Sequence, residues 1–265
     1  MLITLLTDFG TADYFVGAMK GVILSINAGA RVLDLTHEIA AHDIQAGAFN
    51  LLAVYKEFPA ATIHVAVVDP GVGSARRPIL VTGGGQFFVG PDNGLFSYIY
   101  ERETDRRVFH LTRAKYFRHP VSETFHGRDV FAPVAGALSL GTRADELGDE
   151  ITDYQKLAPL APAMTASGEM QASILHIDRF GNCVTNLTRE DLTEQMIAQG
   201  ARLLINGETI STFRRFYADS ASEEQTLFAV WGSAGFLEIV AFRASAAKTL
   251  NAERGQSIRV QSHES

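Results

Sequence analysis

The chain has 265 residues, of which 46% are hydrophobic, a composition typical of a globular protein with room for one large domain or two smaller ones. Its formal net charge of -7 and the lack of any run of Lys or Arg argue against a nucleic-acid partner. The single cysteine, Cys183, excludes an internal disulfide and a cysteine zinc cluster, and the apolar start at residues 1–6 is too short for a signal peptide or a membrane span. We therefore expect a cytoplasmic protein with no membrane partner.

Apolar runs typical of strands alternate with helical periodicity over the first 150 residues. The predicted strands lie at residues 2–6, 31–35, 63–68, 78–81 and 86–89, and the predicted helices at 14–26, 44–58 and 127–140. Asp13 precedes the first helix as a candidate N-cap. This alternation predicts an α/β fold with a mostly parallel central sheet.

Residues 157–168 read LAPLAPAMTASG, a stretch of prolines and small residues without periodicity. Beyond it come short β-rich runs at residues 171–177, 183–187, 202–205, 226–230, 236–242 and 257–260. The pattern predicts an N-terminal α/β domain over residues 1–157, a linker over 158–168, and a small all-β domain, mostly antiparallel, over 169–265.

Polar residues follow several of the predicted strands directly. They are TDFG at 7–10, TH at 36–37, DPGVG at 69–73 and PDNG at 91–94. Ligands of open parallel sheets bind beyond the carboxyl ends of the strands, which makes these positions candidates for a site. Turn chemistry is the alternative, because Asp, Asn, Gly and Pro dominate turns for conformational reasons.

The segment VVDPGVGSARR places Asp69 at a strand end, followed by a glycine turn and the pair Arg76 and Arg77. A carboxylate and a guanidinium could fold back together here, although a plain turn residue with two solvated arginines remains an alternative. His126, in SETFHGRD, adds an imidazole just before a predicted helix. It could equally be a packed histidine that caps this helix.

Other chemistries find less support in the sequence. An oxygen-rich metal site could be formed by Asp8, Asp13, Asp69 and His126, but no compact ligand motif accompanies them. The glycines at 71–73 and 83–85 match neither a Walker loop nor a dinucleotide-binding fingerprint, and no Gly-x-Ser-x-Gly elbow is present. We therefore expect no metal.

Five motifs in order span nearly the whole chain. They are TDFG (7–10), DPGVGSARR (69–77), PDNG (91–94), TFHGRD (124–129) and IDRFGNCVTN (177–186). With them the chain resembles the S-adenosyl-L-methionine hydroxide adenosyltransferases, relatives of fluorinating and chlorinating enzymes that act on the same substrate. The resemblance implies hydrolysis of this small-molecule substrate to adenosine and L-methionine without a cofactor. It also implies a larger α/β domain, a small β domain, and a homotrimer with sites between subunits.

The resemblance implies that Asp69, Arg76 and His126 activate water, the arginine being the first of the pair after the glycine turn. It also implies a set of substrate-binding residues. They are Asp8 at the ribose hydroxyls, Phe180 and Asn182 at the adenosine part, Asp178 and Ser233 near the methionine part, and Glu238 as a weaker candidate. Phe125 and Phe180 could provide a dry aromatic wall, although packing in a core is the usual fate of phenylalanine.

Two rival functions remain beside hydrolysis. The halogenating relatives carry a serine after the position of His126, whereas this chain has Gly127, which places it on the water side of the family. A halide-using lyase of the same fold is the first alternative, and a module that binds adenosine or the intact substrate without turnover is the second. The stretch after LEI, with Phe242, and the region 212–224 depart from the family pattern.

Overall fold

The first unit of the structure, Met1–Ala158, is built on a sheet of seven strands. The computed structural model describes residues 1–166, 168–217 and 227–261 of the chain. The strands of this unit are β1 (Leu2–Thr7), β2 (Arg31–Thr36), β3 (Ile63–Val67), β4 (Pro78–Gly83), β5 (Gln86–Pro91), β6 (Arg107–Leu111) and β7 (Gly148–Ile151). Its helices are α1 (Phe15–Ile26), α2 (Ile44–Val54), α3 (Ser97–Arg102), α4 (Ala132–Ser139) and α5 (Ala144–Leu147).

The strand order of this sheet is β2-β1-β3-β5-β4-β6-β7. The pairs from β2 to β5 are parallel, whereas the pairs β5–β4, β4–β6 and β6–β7 are antiparallel. The prediction of a mostly parallel sheet is therefore correct for only half of it. The reason lies in a tight hairpin between β4 and β5, where Gly84 and Gly85 have φ of 57° and 73°. A connection this short can join only antiparallel neighbours.

Helix α1 packs its apolar stripe, Val16, Met19 and Ile23, into the core of the first unit. The predicted N-cap role of Asp13 is wrong. The N-cap position is Tyr14, which has φ -73° and ψ -9° and makes no side-chain capping bond. Tyr14 O accepts the first intrahelical hydrogen bond, from Ala18 N at 2.9 Å, which makes Tyr14 the N-cap and leaves Asp13 one residue too early to cap the helix.

The predicted helix over residues 127–140 consists of two parts. Gly127–Phe131 forms a π-helical turn, and α4 follows it directly. Phe131 and most of α4 are buried, and Asp129 inside the turn is fully buried as well. π-helical turns are rare and occur often at functional sites, so this one draws attention to His126, which lies immediately before it.

A buried hydrogen-bonded histidine lies in the sheet of the first unit. His64 on β3 has Nδ1 2.7 Å from Thr4 Oγ1 on β1 and Nε2 3.1 Å from Gln86 Oε1 on β5. Its ring stacks on Phe88 with centroids 5.1 Å apart. Burial lowers the pKa of His64 to about 4, which keeps the imidazole neutral in the folded protein at physiological pH.

We expect His64 to make the folded state sensitive to acid. Its pKa is about 4 when folded, below the ordinary value of 6.5, so the unfolded chain binds the extra proton between these two values. The contribution of His64 to the free energy of unfolding is therefore fully present above pH 6.5. It falls by roughly 3 kcal/mol as the pH drops towards 4. Urea unfolding at pH 7 and pH 4.5 measures this slope for the native chain and for His64→Gln. Equal slopes for the two proteins would contradict the expectation.

The second unit, Pro159–Ser265, is a mainly antiparallel sheet with two short helices. Its strands are β8 (Ala163–Met164), β9 (Met170–Ile177), β10 (Cys183–Thr185), β11 (Arg202–Ile205), β12 (Glu208–Ile210), β13 (Phe213–Arg214), β14 (Leu227–Trp231), β15 (Leu237–Ala241) and β16 (Ser257–Gln261). The helices are α6 (Glu194–Ala198) and α7 (Ala246–Leu250), so the prediction of an all-β domain is too narrow. The predicted strand start at Thr226 lies outside the described residues.

The strand order here is β12-β11-β16-β9-β10-β15-β14-β13, with β8 paired to β9. All of these pairs are antiparallel except β13–β14. On β16 the buried residues Ile258 and Val260 alternate with exposed ones, the period of a sheet with one face in the core. None of the described helices in either unit has the length and apolar character that a membrane crossing requires.

Candidate active site

Asp69, Arg76 and His126 form one hydrogen-bonded cluster in the first unit. Arg76 Nε donates to Asp69 Oδ1 at 3.0 Å, and Arg76 Nη2 donates to the other carboxylate oxygen, Oδ2. The same Nη2 lies 3.0 Å from His126 Nδ1. The side chains of Asp69 and Arg76 are only 5% and 7% exposed, which rules out the alternative of a turn carboxylate beside a solvated arginine.

The glycine turn after β3 brings these side chains together. Asp69 follows the strand, and the hydrogen bonds Val72 N to Asp69 O and Ser74 N to Gly71 O, of 3.2 and 3.1 Å, close the turn. Gly73 has φ 78°, and a Cβ atom there would lie 2.3 Å from the Glu123 carbonyl oxygen. Only glycine fits this position, so the turn can pack against the chain three residues before His126.

Burial sets the electrostatics of the cluster. It raises the pKa of Asp69, while the Arg76 guanidinium opposes this rise. Burial and the positive charge of Arg76 both lower the pKa of His126. His126 is therefore neutral near pH 7, and because Nδ1 accepts a hydrogen bond from Arg76, the ring proton lies on Nε2. The cluster thus combines a basic carboxylate with a neutral imidazole donor.

One donor of Arg76 has no partner in the described part of the chain. Arg76 Nη1 is buried and donates to no acceptor among the described residues. The guanidinium carbon lies 5.4 Å from the centre of the Phe131 ring, which covers one of its faces. Buried donors are almost always paired in native proteins, so Nη1 indicates a place for a small polar molecule such as water.

Arg77 belongs to a separate ion-pair cluster and does not contact this site. It donates from Nε and Nη2 to Asp92 Oδ2 at 3.0 and 2.7 Å, and from Nη1 to Asp153 Oδ1 at 2.8 Å. Gln155 N donates to the other oxygen of Asp92 at 2.8 Å. We call Arg77, Asp92, Asp153 and Gln155 the terminal clamp, because they tie the PDNG loop to the last residues of the first unit.

Asp8 lies beside the cluster, at the end of the neighbouring parallel strand. Thr7 and Val67 are register partners on β1 and β3, so Asp8 and Asp69 both follow adjacent strand ends. Asp8 Oδ2 accepts a hydrogen bond of 2.8 Å from His42 N. Its negative charge adds a minor contribution to the raised pKa of Asp69, after burial. The arrangement puts a second carboxylate within electrostatic reach of the cluster.

Aromatic rings flank the same loops. Phe125 is buried, and its ring centre lies 5.9 Å from that of Phe9 and 5.1 Å from that of Phe15, both edge to face. Asp129 accepts hydrogen bonds from Arg128 Nε at 2.7 Å and from Ser122 N at 2.9 Å. This buried carboxylate was missed from the sequence, although it lies in the TFHGRD motif. It ties the segment before His126 to the π-helical turn after it.

In the second unit, Asp178 shapes a tight turn that presents Phe180. Asp178 Oδ1 accepts from Phe180 N at 2.9 Å and from Asn182 N at 2.8 Å, and Oδ2 accepts from Asn182 Nδ2 at 2.9 Å. Gly181 has φ 85°, and a Cβ there would lie 2.1 Å from Ser245 Oγ. Phe180 is 79% exposed, so it is not a core residue. Asn182 is almost fully buried beside it.

Glu238 and Ser233 lie on β15 and in the turn before it. Tyr217 Oη donates to Glu238 Oε2 at 2.9 Å. Burial raises the pKa of Glu238, and the charge of Asp178 acts in the same direction, so the two carboxylates are neighbours. Tyr217 was singled out from the sequence only as part of the poorly matched region 212–224, of which residues 218–224 lie outside the described part.

The structure thus brings the predicted residues into two groups. Asp8, Asp69, Arg76 and His126 lie together in the first unit, and Asp178, Phe180, Asn182 and Glu238 lie together in the second, with Ser233 exposed in a nearby turn. Across residues 1–166, 168–217 and 227–261, no three His, Cys, Asp or Glu side chains are placed to hold a metal ion. The first group can accept a proton from a molecule that is hydrogen-bonded to Arg76.

Comparisons with known proteins cover both units. The model of the SAM hydroxide adenosyltransferase N-terminal domain matches residues 3–148, and the model of the C-terminal domain of the same family matches residues 172–259. An (R)-S-adenosyl-L-methionine hydrolase from Methanocaldococcus jannaschii is 36% identical over 98% of this chain and 95% of its own length.

Two further proteins are similar over the whole length. A fluorinase from an Actinoplanes species is 24% identical over 98% of this chain and 97% of its own length. The crystal structure of an uncharacterized conserved protein from Thermotoga maritima superposes with a TM-score of 0.89 and 29% identity, covering 98% of this chain and 99% of that one.

Proposed function

We infer that this chain, which belongs to the SAM hydroxide adenosyltransferase family, hydrolyses S-adenosyl-L-methionine to adenosine and L-methionine. The observation that carries the proposed chemistry is the buried cluster of Asp69, Arg76 and His126, in which the donor Arg76 Nη1 has no acceptor among the described residues. Such a cluster suits a small nucleophile that must be held and deprotonated away from bulk water. Water fits it by size and by hydrogen-bonding capacity.

In the proposed reaction the water oxygen attacks the ribose C5′ in line with the bond to sulfur. The C5′–S bond breaks, its electron pair stays on sulfur, and the positive sulfonium becomes the neutral thioether of methionine. Because the sulfonium is already a good leaving group, no acid is needed to expel it. The protein has to supply position and a base for the proton of water.

We assign the proton acceptor to Asp69 and the positioning of the oxygen to its two neighbours. Burial raises the pKa of Asp69, which makes its carboxylate a stronger base than an exposed one. His126 is less suited to accept the proton, since its Nδ1 already accepts from Arg76 and its Nε2 carries the ring proton. In this role Asp69 takes one proton of the water, Nε2 and Arg76 Nη1 donate to the hydroxide-like oxygen that remains, and its third lone pair is aimed at carbon.

The aromatic surroundings support the same reaction. Charge disappears as a hydroxide-like oxygen meets a sulfonium, so a site that excludes water favours the transition state over separated ions. Phe9 and Phe125 lie next to the strand-end loops that carry the proposed site. We propose that they exclude bulk water around C5′.

The remaining assignments concern substrate binding. We propose that Asp8 holds the ribose hydroxyls, since a carboxylate can accept from both and its Oδ1 has no hydrogen bond from the described residues. Exposed Phe180 and the adjacent Asn182 suit an adenine ring, one by stacking and the other by hydrogen bonding. Asp178, Glu238 and Ser233 are proposed to hold the methionine part, whose ammonium group is attracted by two neighbouring carboxylates.

Gly127 favours water over a halide as the nucleophile. The halogenating relatives carry a serine at this position, and here a Cβ would lie 3.1 Å from both Met19 Sδ and Phe125 Cε2. Contacts this short would force one of these side chains to move. We therefore propose the hydrolytic branch of the family, without a metal or other cofactor.

We also propose a homotrimer, as the family resemblance implies. Light scattering on an active sample tests this, and an active monomer would contradict it.

Hydrolysis in oxygen-18 water that contains EDTA tests the mechanism. We expect adenosine labelled at its 5′ oxygen, unlabelled methionine, and a rate equal to that without the chelator. Tight binding with no methionine released over hours would favour a binding module instead. Loss of activity that a divalent ion restores would overturn the metal-free mechanism, and added chloride or fluoride appearing at C5′ would favour the lyase.

A further inference from the structure

A chain of polar contacts joins the loop that carries Asp8 to the loop after β2. Thr7 Oγ1 lies 2.9 Å from His37 Nδ1 and accepts a hydrogen bond of 3.2 Å from Phe9 N. On the other side of the ring, His37 Nε2 lies 3.0 Å from Asp34 Oδ1, off the axis of a straight hydrogen bond. Lys20 Nζ donates to the other oxygen of Asp34 at 2.6 Å.

The directions of these contacts are consistent with one another. Thr7 Oγ1 accepts from Phe9, so its own proton is free to be donated to His37 Nδ1. The ring proton of His37 then lies on Nε2, where it faces the carboxylate of Asp34. Thr7 therefore donates one hydrogen bond and accepts one, and the imidazole accepts at Nδ1, which fixes the rotamer of Thr7 and the orientation of the imidazole.

The backbone ladder between β1 and β2 ends before the TDFG loop, although β1 stays paired to β3 as far as Thr7 and Val67. The parallel pairing of β1 and β2 has an irregularity between Leu5 and Leu6 and ends at the pair Leu6 and Thr36. Beyond that point His37 links the two loops. Its side chain contacts Thr7, and its carbonyl oxygen accepts a hydrogen bond from Gly10 N at 2.8 Å. His37 thus holds both ends of the four-residue TDFG loop, and Asp8 lies between them.

The set has the residue types of a hydrolase triad, but it cannot act as one. Thr7 is fully buried and His37 is 5% exposed, so no substrate carbon can reach the hydroxyl oxygen. Asp8 is different, because its carboxylate lies outside this buried set and bonds only His42 N among the described residues. The buried contacts can influence chemistry only through the loop that they hold.

We propose that His37 is a positioning residue for ribose recognition, which acts through Thr7 to hold the TDFG loop and with it the carboxylate of Asp8. The inference rests on the proposed ribose role of Asp8. Loss of the contact between His37 and Thr7 lets the loop relax, so the hydrogen bonds from the ribose hydroxyls to Asp8 weaken while contacts to the adenine ring remain.

The same strand offers a matched control. Thr4, three residues earlier on β1, is also fully buried and bonds the imidazole of His64 at 2.7 Å, but it lies away from the TDFG loop. Thr4→Val and Thr7→Val therefore delete the same hydroxyl from the same kind of threonine–histidine pair. Both should lower the unfolding temperature to a similar extent, so a difference between them in ligand binding is not a general effect of stability.

The test compares calorimetric binding of adenosine with that of 2′,3′-dideoxyadenosine, which lacks the 2′ and 3′ hydroxyls of the ribose and keeps the 5′ hydroxyl. Thr7→Val should weaken adenosine binding about tenfold and dideoxyadenosine binding less than about twofold, and should raise KM more than it lowers kcat. Thr4→Val should keep the native ratio of the two affinities. His37→Leu should behave like Thr7→Val, whereas His37→Asn, which keeps an acceptor near the place of Nδ1, should retain most of the ratio.

A native ratio in Thr7→Val, or an equal loss of the ratio in Thr4→Val, would overturn the proposal. If the native protein itself does not distinguish the two nucleosides, the ribose role of Asp8 fails, and the positioning role of His37 fails with it. Hydrolysis itself is tested separately by oxygen-18 incorporation, so failure of the positioning role and failure of the enzymatic function give different results.

Discussion

Replacing His126 with alanine should lower kcat about 10²- to 10⁴-fold, the usual contribution of a positioned acid or base, and leave the affinity for adenosine nearly unchanged. The reason is that, within the part of the chain that the structure describes, its imidazole bonds only Arg76, and it is proposed to donate Nε2–H to the attacking water. It has no assigned contact with the product. Single-turnover rates and calorimetric titration with adenosine measure both quantities on the same samples.

Asp69→Asn should reduce kcat by a similar factor, since the amide cannot accept the proton of water. The double variant with His126→Ala should be little slower than either single variant, because residues that act on one water as a unit are not additive. A near-native rate for His126→Ala would remove the whole assignment of Asp69, Arg76 and His126, whatever the family.

Arg76→Met should abolish most of the activity at pH 7, about 10²-fold or more, whereas Arg77→Met should mainly reduce stability. The two arginines are adjacent, but Arg76 bonds Asp69 and His126 while Arg77 belongs to the terminal clamp. Without the guanidinium, the pKa of Asp69, already raised by burial, rises further. At a given pH a larger fraction of the carboxylate is then protonated, and the protonated form cannot serve as the base.

The pH profile separates this explanation from simple misfolding. The reaction needs ionised Asp69, so a higher pKa moves the acidic limb of kcat to higher pH, and Arg76→Met should recover part of its activity at pH 9. Arg77→Met should keep the native profile and show a lower unfolding temperature. If both variants lose activity equally at every pH, Arg76 has no special role in the chemistry. Arg76→Lys serves as a second variant, since it retains the positive charge without the fork of donors.

The sequence predicted the strands with continuous apolar runs more reliably than the direction of their neighbours. Residues 2–6 and 63–68 are buried on both faces and were predicted within one residue. Strands β4 and β5 were predicted, but β6 and β7 were missed, because they carry charged residues that satisfy no simple alternation. Gly84 and Gly85 between the runs of β4 and β5 are a local hairpin signal, which the prediction of a mostly parallel sheet did not use.

For the site, the motifs indicated the residues and the roles that the resemblance implies, but not how the residues are brought together. Arg76 and His126 are far apart in the sequence. The packing of Gly73 against Glu123 brings their two segments together. The hydrogen bond that assigns the proton of His126 to Nε2 is likewise a tertiary feature. Residue type alone does not distinguish Arg77 from Arg76, since both are arginines. Its partners Asp92 and Asp153 come from two other segments of the chain.

The terminal clamp has a practical consequence for dissection of the protein into fragments. The match to the N-terminal family model stops at residue 148, but Asp153 and Gln155 lie beyond it, and Leu157 N donates to Ser97 Oγ at 2.7 Å. A fragment cut at 148 would lose strand β7 and leave Arg77 and Asp92 short of partners. A truncation intended to isolate the first unit should therefore end at Ala158, the last residue of that unit.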